Sequence, residues 1–336
     1  MVVREKTSPY GKSTVPKKKG ILLCLHIGKQ LVSIALFGDA LTWAMTGKRK
    51  NMEVGKMRAG FIGAGKVGCS LGLLFRKKGL PVVGYVSRHG ESADLAATLT
   101  ASHHFAALVE LVAESDILFL TVPDGSIADV WKELQKCPLE GKLVCHCSGS
   151  LPAAVLEEAA DICLGACSLH PLYAVSSREE SWEGLSSAVF TLEGDSAAVA
   201  TLYDWLLPAE LQIQRLKSID KTRYHAAAVF ASNLVVGLVQ EAWDLLEECG
   251  FDENTARLAL APLLSGNIAK LVEQGAEKAL TGPMERNDVK TVARHLGVLK
   301  NDQREIYRLL SVRLLEIASR KHPERDMEAM REVLHC

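Results

Sequence analysis

The run RAGFIGAGKVG, residues 58–68, most constrains what this chain can fold into. A short apolar segment meets Gly63, Gly65 and Gly68 in the spacing G-x-G-x-x-G, and a helical stretch follows through Lys78. In a strand–turn–helix unit each glycine has a separate task. The first permits a tight turn, the second lets a pyrophosphate approach the backbone, and the third lets helix and strand pack closely. Lys66 and Val67 then open a helix whose N-terminal N–H groups favour an anion. The spacing alone is weak; its place at the head of a βαβ unit turns it into an expectation of dinucleotide binding.

The segments that follow keep that reading. LPVVGYV, DILFLTV (116–122) and GKLVCHCSG read as strands, with helical ESADLAATL and DGSIADVWKEL between them. Asp124 is a good N-cap residue for the latter helix. DICLGACSLHP, SSAVFTL and LQIQRL (211–216) read as further strands. Strands alternating with helices predict an α/β fold, a doubly wound, mostly parallel Rossmann-like sheet. After about residue 218 strand signals stop. KTRYHAAAVFASNLVVGLVQEAWDLLEECG reads as one long helix ending at Gly250, and the rest is also helical. The expected organisation is an extension over 1–57, a dinucleotide-binding domain over 58–217 and an all-helical C-terminal domain over 218–330.

The second strand sets the cofactor expectation. An acid at its end binds the ribose 2′-hydroxyl of NAD, whereas an arginine accommodates the 2′-phosphate of NADP. This chain has Ser87 and Arg88 there, followed by His89. Both residues donate, and the guanidinium fork matches a phosphate. The cofactor reading is therefore NADP(H), with a solvated loop arginine as the alternative. Ligands of open α/β sheets sit outside the carboxyl ends of the strands. That rule adds Val122, Pro123 and Asp124, and Ser148 and Gly149, to the expected cofactor contacts.

Composition narrows the partners. The 336 residues are 48% hydrophobic and 24% charged, with a formal net charge of −1. Such a balance gives no electrostatic case for nucleic acid or an anionic membrane. Residues 21–45 are apolar but interrupted by His26, Lys29, Gln30 and Asp39, short of the about 20 apolar residues of a membrane helix. The extension reads as a false start, with Met52 or Met57 as the true first residue, or as an amphipathic or regulatory leader. Nine cysteines lack a regular framework, which fits free thiols in a reducing cytoplasm. Cys145, His146, Cys147, Cys163, Cys167 and His170 lie near one another in sequence but lack the paired spacing of zinc sites. Buried thiols, and no metal, are expected.

In order, GFIGAGKVG, TVPD, HCSG, SLHPL, KTRYHAAAVFASN and LTGPMERND resemble an oxidoreductase family that joins a Rossmann-like NADP-binding domain to a helical C-terminal domain of unknown function. The family belongs with the 6-phosphogluconate, 3-hydroxyisobutyrate and prephenate dehydrogenases and pyrroline-5-carboxylate reductase. The resemblance covers about residues 58–330. It implies a nicotinamide-binding fold and a homodimer through the helical domains, and names no substrate.

Hydride transfer needs a nearby proton carrier. His146 and His170 stand at expected strand ends, where each either faces the crevice or is bonded to backbone within the sheet. His170-Pro171 is similar to a pair in prephenate dehydrogenases. Lys221 and His225, four apart, share a helical face, with Ser232 and Asn233 following. Related dehydrogenases use a lysine and an asparagine of the first helix after the Rossmann domain, spaced by four. Here the distance from Lys221 to Asn233 is longer, and His225 takes the nearer position. A histidine titrates near 6.5 and a lysine near 10.4, so His225 is the expected proton carrier and Lys221 the clamp on substrate oxygen, with Asn233 and Ser148 orienting it. Arg286 and Thr281 are candidates for holding a substrate carboxylate; alternatively Arg286 pairs with Asp288. The leading functional reading is an NADP(H)-dependent dehydrogenase or reductase on a small, carboxylate-bearing substrate. A nucleotide-binding sensor without turnover and a prephenate or arogenate dehydrogenase-like enzyme are the alternatives.

Overall fold

The computed structural model describes residues 54–216 and 220–335, together with the backbone of three strands between residues 21 and 43. Those strands, β1 (Ile21–Ile27), β2 (Gln30–Phe37) and β3 (Ala40–Trp43), pair antiparallel in chain order. The rest of the expected extension lies outside the described residues, apart from 54–57. There a 3-10 turn, Val54–Lys56, leads to Met57, which is only 1% exposed. Its carbonyl accepts a 2.9 Å bond from the Trp205 indole. Met57 is therefore a core residue of the domain that follows. By contacts the chain divides into two compact units, Met1–Ile219 and Asp220–Cys336.

The first unit is built on an eight-stranded sheet. Its strands are β4 (Ala59–Ile62), β5 (Val82–Val86), β6 (His103–His104), β7 (Ile117–Leu120), β8 (Leu143–His146), β9 (Gly165–Pro171), β10 (Val189–Gly194) and β11 (Gln212–Arg215). The order is β11-β10-β9-β8-β7-β4-β5-β6. All neighbours run parallel except β9 and β10, so the sheet is mostly parallel, as the alternation predicts. The central strands β4, β7 and β8 are buried at every residue, which explains their apolar sequence, broken only by His146 at the end of β8.

Helices cover both faces. On one lie α1 (Lys66–Lys77), α2 (Gly90–Thr100), α6 (Ser181–Leu185) and α7 (Ser196–Leu206); their core joins Phe61, Phe75, Tyr85, Phe119 and Trp205. Phe61 stacks on Tyr85 and Phe119 at 5.1 and 5.2 Å. On the other lie α3 (Leu108–Glu114), α4 (Ile127–Leu134) and α5 (Ala159–Ile162), around Leu118, Leu120 and Trp131.

The second unit is helical: α8 (Lys221–Ala231), α9 (Asn233–Glu248), α10 (Glu253–Gln274), α11 (Ala276–Ala279), α12 (Gly282–Arg286), α13 (Val289–Val298), α14 (Asn301–Lys321) and α15 (Glu328–Leu334). Its core gathers Met284, Val292, Leu315, Met327 and Met330. The long helix expected from Lys221 to Gly250 is in fact two. Ser232 leaves helical geometry at φ −130°, ψ −83°, and its hydroxyl donates to the Ala228 carbonyl at 2.7 Å. A serine bonded back onto the preceding turn competes with the helical ladder.

Candidate functional site: a nucleotide crevice at the strand ends

Four parallel strands deliver their carboxyl ends to one edge of the sheet, and the glycine turn stands at its centre. Gly63 has φ +103°, and a Cβ there would lie 2.6 Å from the Thr121 carbonyl oxygen. Only glycine fits both the angle and the space. Gly63 donates to the Val86 carbonyl at 2.8 Å, and its own carbonyl accepts from the Thr121 hydroxyl at 2.7 Å. Gly68 solves a packing problem. A Cβ on it would meet the Gly63 carbonyl and the Thr121 hydroxyl, each at 2.4 Å.

Gly65 is different. A Cβ there would touch nothing within 4 Å. The residue opens onto a cavity of about 680 Å³ and forms the N-cap of α1 with no side-chain capping bond. The first N–H groups of α1 thus have no side-chain partner, and the helix dipole favours an anion there.

The cavity continues from this turn along two strand ends. Ser87, Arg88, His89 and Ser92 line it after β5, and Thr121, Val122 and Pro123 after β7. Leu108, Val130 and Asp129 complete its α3–α4 side. Asp129 and Glu133, the lining acids, each pair with a lysine three residues on, Lys132 at 3.4 Å and Lys136, just past the end of α4, at 2.7 Å. Arg88 and Arg178 have no ion-pair partner among the described residues. A volume of this size falls within the usual range of cofactor pockets.

Beside the cavity lies a closed polar network. Asp124 does not cap the following helix. Its carboxylate accepts from the hydroxyls of Ser148 at 2.8 Å and Ser150 at 2.5 Å, tying the β7 end to the β8 end. The Ser148 oxygen in turn accepts from the backbone N–H groups of Ser150 and Leu151. His146 is fully buried. Its Nδ1 accepts from the Ser148 N–H at 3.2 Å, and its Nε2–H donates to the Pro152 carbonyl at 3.1 Å. Of its two expected placements it takes the one bonded to backbone, as a brace for the Ser148 loop. His170, half-buried, is the next-to-last residue of β9 and lies opposite Thr191.

Arg178, absent from the sequence reading, also lines the cavity. The loop after β9 brings it there. The Ser70 hydroxyl of α1 donates to the Ser177 carbonyl at 2.9 Å, and the Ser181 hydroxyl accepts from the N–H groups of Ser176 and Ser177. Near Arg178, burial pushes the Cys69 thiol up to about 11, the guanidinium opposing the shift. Cys145 and Cys167, side by side across β8 and β9, are both buried, and burial raises the Cys145 thiol strongly. Among the described residues, no group of three or more His, Cys, Asp or Glu is arranged to hold a metal.

In the second unit, Asp220 caps α8 by accepting from the Arg223 N–H at 3.0 Å. Lys221 is only 3% exposed, its ammonium 5.5 Å from the Tyr224 ring centre. His225 is half-buried on the same face one turn later. Thr281 and Arg286 are exposed at the two ends of α12. Asp288 is occupied as the cap of α13, accepting from the Thr291 N–H and hydroxyl. Those bonds, with the Arg286 charge nearby, hold its carboxyl below the usual range.

Residues 45–171 match the Rossmann-like domain, and residues 188–314 match the Domain of unknown function (DUF2520). The chain is a Rossmann-like domain followed by a DUF2520 domain. No curated protein matches it. Among solved structures it is similar to a protein of Bacteroides fragilis described as a "putative NADP oxidoreductase", at 24% identity, over 78% of this chain and 99% of that one, with a TM-score of 0.62. A Thermotoga maritima protein is also 24% identical, over 79% and 99%, at 0.63. The Plasmodium falciparum pyrroline carboxylate reductase, solved with NADP bound, is 14% identical over 79% and 96%, at 0.53. At these identities the likeness shows the fold.

The Rossmann-like domain thus brings Gly63, Gly65, Ser87, Arg88, Val122 and Pro123 to one cavity. Lys66 and Val67 open α1 beside it, and Gly68 packs beneath the turn. Asp124, Ser148 and Gly149 are not among the lining residues; the first two belong to the adjoining network. In the DUF2520 domain, Lys221 and His225 stay on one helix, while Asn233 begins the next and is exposed. At twelve residues from Lys221, Asn233 would lie about 120° around even an unbroken helix, so it does not share the Lys221 face.

Proposed function

We propose that this protein is an NADP(H)-dependent oxidoreductase acting on a small, carboxylate-bearing substrate. The observation that carries the reading is the division of labour among three glycines. Two are sterically compelled by the protein's own packing; Gly65 is compelled by nothing in the protein, yet opens on the cavity. Gly65 leaves the space that a pyrophosphate needs beside unpaired helix N–H groups. At the β5 end, Ser87 and Arg88 replace the acid that would reject a 2′-phosphate. Leu108, Val122 and Val130 form an apolar slot for a base. NADP in the Plasmodium reductase supports the same choice of nucleotide here.

A bound nicotinamide supplies or accepts a hydride; the chain must supply the proton and the orientation. We assign the proton to Lys221 and His225 of the DUF2520 domain, His225 as proton carrier and Lys221 as clamp. Arg286 offers its exposed fork to a carboxylate, with Thr281 at the other end of α12. Ser148 acts as a positioning residue, because its hydroxyl proton is committed to Asp124 and its oxygen to two N–H groups. His170 is the alternative carrier.

The second domain exposes apolar side chains along successive helices: Phe230 at 69%, Leu258 at 75% and Val272 at 82%. An 18-residue stretch within Lys221–Glu248 reaches a mean hydropathy of 1.3, long and apolar enough to cross a membrane by composition alone. Because it breaks at Ser232 and the apolar exposure continues on α10, we read this surface as a homodimer face. Seven free cysteines among the described residues fit a reducing cytoplasm.

Calorimetric titration with NADPH and NADH tests the cofactor assignment. Arg88→Ala is expected to cost about 1.5–3 kcal/mol of NADPH binding, the scale of a hydrogen bond to a charged group, with NADH unchanged. Equal losses for both nucleotides would contradict it.

A further inference from the structure

We propose that Arg178 is a second clamp on the 2′-phosphate and a determinant of cofactor choice, an inference that rests on the NADP(H) reading above. Arg178 lines the same cavity as Ser87, Arg88, His89 and Ser92. Its Nη2 donates to the Ser92 hydroxyl at 3.3 Å, across 86 residues of sequence. Two guanidiniums therefore serve one cavity, and neither has an ion-pair partner among the described residues. The lining acids do not neutralise them, since Asp129 and Glu133 are held by Lys132 and Lys136.

Like charges brought to a shared cavity repel, and a dianion between them reverses the sign of that interaction. A phosphate monoester carries three terminal oxygens and close to two negative charges. One arginine fork engages two of those oxygens, which leaves acceptor capacity for a second donor set. Arg178 and the Ser92 hydroxyl provide it. Both groups adjoin the start of α2, whose N-cap His89 makes no side-chain capping bond, so the helix dipole acts in the same direction.

The Arg178 loop is held before any ligand arrives. Ser70 anchors the Ser177 carbonyl to α1, Ser181 gathers the N–H groups of Ser176 and Ser177, and the Ser177 hydroxyl accepts from the N–H groups of Glu179 and Glu180. A held loop loses less entropy on binding than a free one. Its anchor is α1, the helix whose N-terminus faces the pyrophosphate position. Cofactor selection is thereby shared between the β5 end and a strap from beyond β9.

The test is calorimetric titration of the full chain with NADPH, NADH and 2′,5′-ADP, in wild type, Arg178→Gln, Arg178→Lys and Arg88→Gln. Arg178→Gln is expected to weaken NADPH and 2′,5′-ADP about tenfold to a hundredfold and leave NADH unchanged. Arg178→Lys is expected to recover part of the loss, since charge returns without the fork. Arg178 is half-buried at the surface, and a thermal melt of each variant controls for folding. Unchanged NADPH binding in Arg178→Gln, beside a loss in Arg88→Gln, overturns the Arg178 assignment and leaves the nucleotide reading standing. Equal loss of NADPH and NADH overturns it too, by making Arg178 a brace of the loop. A wild-type chain that binds no NADPH overturns the nucleotide reading and this inference together.

Discussion

Substituting alanine for Gly65 and for Gly68 separates ligand binding from packing, because the two glycines are empty of side chain for different reasons. At Gly68 the new methyl would stand 2.4 Å from both the Gly63 carbonyl and the Thr121 hydroxyl. Neither can retreat freely, since they are bonded to each other at 2.7 Å. Overpacking of this kind costs about 1–3 kcal/mol. Losing the Thr121 bond adds about 1 kcal/mol, and the helix propensity of alanine over glycine returns about as much. The net of about 1–3 kcal/mol lowers the melting temperature by about 2–12 °C for a domain of this size. At Gly65 the methyl meets nothing, and the backbone, φ −74° and ψ −169°, suits alanine. A weaker N-cap and a less flexible unfolded chain offset each other, so stability should stay within about 0.5 kcal/mol. NADPH, however, must approach the backbone where that methyl projects, and its affinity should fall at least about tenfold, or about 1.4 kcal/mol. Thermal melts and NADPH titrations of both variants form the assay. A Gly65→Ala protein that binds NADPH like wild type would refute the argument that this turn faces a pyrophosphate.

Once a substrate is in hand, His225→Asn should lower kcat by about 10²–10⁴-fold, the range of a general acid or base, while Lys221→Met, which preserves buried volume, should chiefly raise KM. The reverse pattern would make Lys221 the proton carrier. A chain beginning at Met57 should fold and bind NADPH like the whole chain, whereas Met57→Ala should cost about 2–5 kcal/mol in chemical denaturation; loss of binding on truncation would place residues before Met57 in the fold. Glu285 is held below its usual carboxylate range by hydrogen bonds from His322 and Lys321. Its contribution is then complete above the ordinary glutamate value and lost as pH falls through the lowered one. Acid melts of Glu285→Gln should therefore converge on wild type at low pH; a constant gap would count against this.

Much of the first domain is written in local sequence. Strand and helix periods, the glycine spacing and the Ser87-Arg88 pair act through neighbours a few residues away, so they survive reading without a structure. The misses have another origin. Asp124 looks like a helix cap until β7 and β8 are laid side by side, when Ser148 and Ser150 become its partners. Arg178 sits among serines and glutamates and reads as a solvated loop; only the fold of that loop onto α1 carries it to the cavity. Met57 reads as the end of a basic leader, and only Trp205, 148 residues away, shows it to be core. The break at Ser232 has no glycine or proline to signal it. There one hydroxyl turns back onto its own helix, a choice that residue type does not fix. Asn233 misses the Lys221 face on spacing alone, about 120° round the helix.

The most direct test of the oxidoreductase reading is transfer of the hydride itself. The protein would be incubated with NADPH deuterated at either face of nicotinamide C4 and with a panel of 2-oxo acids, carboxylate-bearing aldehydes and cyclic imino acids, and products would be read by mass spectrometry. The account predicts deuterium, from one face only, in the reduced form of a carboxylate-bearing substrate. Saturable NADPH binding with no deuterium in any product would contradict it and mark the protein as a nucleotide-binding sensor.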